Sequence, residues 1–114
     1  MNEERKIIIA SESGISIRSS GDIADTISEC LDVNVDGLIL TQDDLGKEFF
    51  DLRSGLAGEL FQKFVIYNVR AAIVLPNPDA FGKRFSELAY EHKSHSMIRF
   101  VRSKDEAISW LSAY

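Results

Sequence analysis

The chain has 114 residues, 45% of them hydrophobic, which suits one domain with a real core. Its net charge is −5, and Lys83, Arg84, Lys93, Arg99, Arg102 and Lys104 form no continuous run. That balance argues against nucleic-acid binding through phosphates. The single cysteine, Cys30, excludes a disulfide framework and a thiolate metal site.

The N-terminal "MNEERK" is charged, and the following "KIIIA" is too short for a signal core or a membrane span. A cytoplasmic protein without membrane contact is expected. "KIIIA", residues 6 to 10, is a β-branched run and predicts a strand. Glu12-Ser13-Gly14 is turn chemistry. Ile15 and Ile17 then alternate with Ser16 and Arg18, which predicts a second strand paired with the first as a hairpin.

Ser19, Ser20 and Gly21 stop that strand and open a helix carrying Ile23, Ile27, Cys30 and Leu31 at helical spacing. Asp22 and Asp25 suit its positive end. Cys30 is expected to be a buried thiol. "LILT", residues 38 to 41, is a continuous apolar run and predicts a strand covered on both faces.

"QDDLGKEFFDLR" follows as a loop of about a dozen residues, long for a compact domain. Phe49 and Phe50 are expected to pin it to the core. The major helix is predicted from about Ser54 to Asn68, and "RAAIVL", residues 70 to 75, is the next strand. Pro76-Asn77-Pro78-Asp79 ends it, with Asp79 placed to cap a helix striped by Phe81, Phe85, Leu88 and Ala89. "MIRFV", residues 97 to 101, is the last strand. Ser103 and Glu106 have capping-box spacing at the start of a final amphipathic helix.

The order β-β-α-β-α-β-α-β-α over residues 1 to 114 predicts a single α/β domain with a mixed, mostly parallel sheet packed with helices. Loops near Ser19, Thr41 to Arg53 and Pro76 to Asp79 should gather on one edge, where open α/β sheets place their sites.

On a helical wheel, Leu56, Ala57, Leu60, Phe61, Phe64, Val65 and Tyr67 fall within roughly 180° of arc. A surface helix needs an apolar stripe only a little over ~100° wide. Two readings of the surplus stay open. The long loop covers it, or it is a protein–protein or homodimer interface.

In "DLRSGLAGEL", Asp51, Ser54, Gly55 and Leu56 stand in the order found in the STAS domain of anti-sigma-factor antagonists. "MIRFVRSKDEAISWL" resembles that family's closing strand, polar turn and helix. Leu52 and Arg53 separate Asp51 from Ser54, a longer spacing than the family's common one. "FFDLRSGLAGELFQKF" followed by "AAIV" is also similar to a small bacterial family classed as a domain of unknown function. The STAS resemblance implies a regulatory protein-binding module with a phosphorylatable serine at position 54.

From the residues themselves, Ser54 is either a helix cap or a switch. Phosphorylation would add about −1.5 to −2 charge at a helix N-terminus, which a packed partner would have to desolvate or meet with arginine. Asp43, Asp44, Glu48 and Asp51 form an acidic loop without a calcium-loop pattern. His92 and His95 lack a third ligand, and a contact with a helix C-terminus explains them more simply. No nucleophile–base pair, Walker lysine or dinucleotide fingerprint is evident, so catalysis, metals and cofactors are not expected.

The reading is therefore an interaction module whose contact edge includes Thr41, Asp51, Arg53, Gly55, Leu56 and Asn77, with Ser54 as its switch. A small-molecule-binding protein or minor enzyme using the same strand-end crevice is one alternative. A homodimer sealed by the broad helix is the other.

Overall fold

The computed structural model describes residues 6–113. Strands β1 (Ile7–Ile9), β2 (Gly37–Thr41), β3 (Ala71–Val74) and β4 (Ile98–Val101) form one sheet in chain order. Every pairing is parallel, and the register runs Ile8 to Leu38, Leu38 to Ala71 and Ala71 to Ile98. The connections hold helices α1 (Ser20–Asp32), α2 (Lys47–Phe50), α3 (Leu56–Ile66) and α4 (Lys83–Glu91), and α5 (Lys104–Ser112) follows β4.

Successive strands step the same way across the sheet. Right-handed crossovers therefore put all their helices on one face. The packing agrees. Leu38, Leu40, Ala71, Ile73, Ile98 and Phe100 share one buried cluster with Ile23, Ile27, Leu60, Phe64, Phe85 and Ala89. The alternate strand residues Ile39, Ala72, Val74 and Val101 point the other way and pack with Ala107 and Leu111 of α5. That helix lies so close that a Cβ on Gly37 would stand 2.6 Å from a Leu111 methyl.

The α/β class and the single domain are as the sequence predicts, but the opening hairpin is not there. After β1, Ala10–Glu12 makes a 3-10 turn, Gly14 takes a left-handed φ of +72°, and the Ile15 amide donates back to the Ala10 carbonyl at 3.0 Å. Ile15 and Ile17 are buried and their polar neighbours exposed, so the alternation marked the right residues. The backbone partner of Ile17 is the loop after β2. Ile17 N–H donates to Asp44 O at 2.8 Å, and Gly46 N–H to Ile17 O at 3.0 Å. The described sheet is thus wholly parallel rather than mixed.

Ser19 caps α1 by accepting from the Asp22 amide at 3.3 Å, and Ser103 caps α5 by accepting from Glu106 at 3.1 Å. Asp79 does not cap the next helix. Pro78–Phe81 winds a 3-10 turn first, Gly82 becomes the N-cap of α4, and Asp79 accepts instead from the Ser86 hydroxyl at 2.5 Å. Cys30 is buried in the core, and burial pushes its thiol up to about 11, as an inert thiol requires.

The long loop after β2 is not slack. A 3-10 turn at Gln42–Asp44, α2, and another at Leu52–Ser54 occupy it. Phe49 is fully buried and meets Phe50, Phe61 and Phe85 with ring centroids 5.4, 6.3 and 6.0 Å away. Phe61 of α3 also contacts His92 and Phe100, so the loop and α4 cover part of that helix's apolar surplus. The rest stays uncovered: Val65, Ile66 and Tyr67 are exposed, as are Leu31 and Val33 at the end of α1.

Phe49→Ala should destabilise the domain by about 3–5 kcal/mol, because the cavity would open where loop, α3 and α4 meet. Urea unfolding against the wild type measures it. A loss below about 1 kcal/mol would mean that Phe49 does not anchor the loop.

Candidate functional site

The site is the rim at the carboxyl ends of β2 and β3. Thr41 closes β2, and both its amide and its hydroxyl donate to the buried Asp44 carboxylate, at 2.8 and 2.9 Å. This bond set holds the chain as it leaves the sheet, so Thr41 is a structural cap there.

Asp51 leads the 3-10 turn after α2. Its carboxylate accepts from the Arg53 amide at 3.1 Å and from Arg53 Nε at 3.2 Å. The Arg53 side-chain hydrogen bond holds its carboxyl below the usual range, helped by the amide bond. The pair is a surface one, with Arg53 92% exposed.

Ser54 is exposed, yet its hydroxyl is engaged on both sides. It donates to the Glu48 carbonyl at 2.6 Å and accepts from the Leu56 amide at 3.2 Å. It thereby clasps α2 to the first turn of α3. Gly55 makes the reversal between them with a φ of +79°, a left-handed conformation that glycine adopts without strain. α3 consequently begins at Leu56, which is buried, rather than at Ser54.

A crevice of about 690 Å³ opens between this loop and the one after β3. Asp51 and Arg53 line it with Phe50 and Leu52, and Phe81, Gly82, Lys83, Arg84 and Phe85 form the opposite wall. Phe50 and Phe81 stack directly on each other along its wall, with ring centroids 4.0 Å apart and planes 12° from parallel. Of the residues singled out in the sequence, Asp51 and Arg53 therefore meet in one cleft. Thr41, Ser54, Gly55, Leu56 and Asn77 do not line it. Asn77 is exposed beyond the end of β3.

Sequence reasoning missed Phe81, Lys83 and Arg84 as parts of a site. The available signal was Gly82-Lys83-Arg84, a helix start with two cations and no acidic partner. It missed a second arrangement near the other end of α4. His92 stacks on Phe61 with centroids 4.4 Å apart and on His95 at 4.9 Å, and its Nδ1 lies 3.3 Å from the Ile98 carbonyl. His95 Nδ1 accepts from the Met97 and Ile98 amides at 3.1 and 3.3 Å. A helix-end contact favouring charged imidazoles was the expectation. For His92 the sign is opposite: desolvation lowers its pKa, and the bond to Ile98 opposes the shift only in part.

Among the described residues, no group of three or more His, Cys, Asp and Glu is placed to hold a metal ion. No helix there is long and apolar enough to cross a membrane.

The arrangement defines an α/β domain with its loops gathered over a parallel sheet edge. The chain belongs to the family described as a domain of unknown function, DUF4180, whose model matches residues 2–111. No curated protein and no solved structure matches it.

Because His92 resists protonation in the folded state, stability should be full above the unfolded imidazole pKa of about 6.5 and fall as pH drops below it. His92→Gln removes that component. Thermal melts between about pH 7 and pH 5.5 should show a smaller loss in the variant than in the wild type. Parallel curves would contradict the assignment.

Proposed function

We propose that this protein is a STAS-like, non-catalytic regulatory module that binds another protein and is switched at Ser54. The observation that supports this reading is the apolar surface left exposed where α1 and α3 end. Leu31, Val33, Val65, Ile66 and Tyr67 are 40–63% exposed there. A groove of about 280 Å³ between the two helices runs from Ser20 and Glu59 to Leu31 and Tyr67, two of these residues. Exposed apolar surface beside a groove supports partner contact.

Ser54 precedes the first turn of α3, the helix whose Glu59 lines the same groove. Glu59, which accepts from the Ser20 hydroxyl at 2.6 Å, donates its own amide to the Gly55 carbonyl. A phosphate at Ser54 would have no proton to give the Glu48 carbonyl. It would release the clasp and put a dianion at the rim that a docked partner must desolvate. The parallel sheet lacks the predicted opening hairpin, so the proposed kinship rests on the Asp51 to Leu56 stretch and the closing helix. The buried free thiol of Cys30 fits the reducing cytoplasm proposed for it.

The test is affinity capture from the native cells with the wild type, Ser54→Ala, Ser54→Glu and Ile66→Asp, followed by reconstitution with purified partner. The wild type and Ser54→Ala should form a stoichiometric complex, weakened by about tenfold or more in Ser54→Glu and Ile66→Asp. The same affinity in all four would overturn both the surface and the switch.

A further inference from the structure

We propose that the crevice between the loops after β2 and β3 binds a nucleotide, with the phosphates on Arg53, Lys83 and Arg84 and the base on the Phe50–Phe81 wall. This inference is independent of the protein-binding face and of Ser54.

The charge at this place runs against the rest of the molecule. The protein is acidic at −5, yet the crevice holds Arg53, Lys83 and Arg84 against the one carboxylate of Asp51. Asp51 engages the Arg53 guanidinium through Nε alone. Lys83 and Arg84 make no ion pair among the described residues. They also occupy the first turn of α4, which has no acidic residue and no side-chain cap. Two cations at the positive end of a helix are mutually unfavourable and unfavourable with the dipole. The other long helices with polar caps do the reverse, with Asp22 opening α1 and Asp105 and Glu106 opening α5. A bound anion between Arg53 and the Lys83–Arg84 pair offsets both costs. Two arginines in reach favour a phosphate, whose oxygens accept from guanidinium forks.

The aromatic wall narrows the ligand further. Phe50 and Phe81 are only partly buried, and the stacked pair lines the same crevice as the cations. Such a surface suits a planar ring, and base–aromatic stacking is sequence-tolerant and substantial. The volume of about 690 Å³ lies within the range of about 300–1,000 Å³ usual for small-molecule sites. Its position at the carboxyl ends of parallel strands is where open α/β sheets bind ligands.

Isothermal titration with ADP, GDP, adenosine and pyrophosphate tests the proposal. At least one of the two nucleotides should bind saturably, and adenosine and pyrophosphate should bind about tenfold or more weakly than that nucleotide. The Lys83→Gln/Arg84→Gln double variant should weaken the nucleotide by about tenfold or more, while the melting temperature of the free protein stays the same or rises. Phe81→Leu should weaken the nucleotide but not pyrophosphate. Lys104→Gln on α5 should change nothing. No saturable nucleotide binding, equal affinity for pyrophosphate, indifference to the double variant, or tighter binding of a phosphoserine peptide would each overturn it.

Discussion

Pairing of β2 with β3 is the constraint on which the rest depends. It aligns Leu38 with Ala71 and Thr41 with Val74, in parallel, so both strands end at one level of the sheet. Their following loops have no choice but to be neighbours. Chain order across the sheet adds the second consequence. With every crossover stepping one way, α1, α3 and α4 crowd one face, and α5 alone closes the other. The closeness of Leu111 to Gly37 shows how fully that single helix is seated.

Aromatic packing then ties the rim together. Phe49 and Phe50 belong to α2, whose Glu48 carbonyl is the one that Ser54 holds. Phe49 reaches down to Phe61 and Phe85, while Phe50 stacks on Phe81 at the crevice wall. The clasp at Ser54 and the wall of the crevice are therefore two ends of one four-residue helix.

Much of the fold was legible in the residues. "LILT" read as a doubly covered strand and "RAAIVL" as the next strand because each holds an unbroken apolar run, and both are buried throughout most of their length. Ser19 and Ser103 were readable as caps because capping chemistry is local. The hairpin was misread because alternation reports which face is buried, not which strand is the neighbour. Ile15 and Ile17 are buried, but Ile17 pairs with the loop after β2 and Ile15 bonds back to Ala10. Asp79 was misplaced as a cap because the Pro78 turn uses up the residues between it and α4.

The site was less legible. Asp51 and Arg53 were adjacent in sequence and could be suspected. Lys83 and Arg84 stand about thirty residues away and join them only through the β2–β3 register. His92 read as a favourable helix end, whereas burial against Phe61 reverses the sign of its titration.

Native-state hydrogen exchange tests most directly whether the Ser54 hydroxyl holds the loop after β2 against the sheet. Comparing the wild type with Ser54→Glu, the account predicts faster exchange at the amides of Phe49, Asp51, Ser54 and Leu56, with those of Leu38, Ala71 and Leu75 unchanged. Equal protection of the loop in both proteins, or an equal loss across loop and sheet alike, would contradict it.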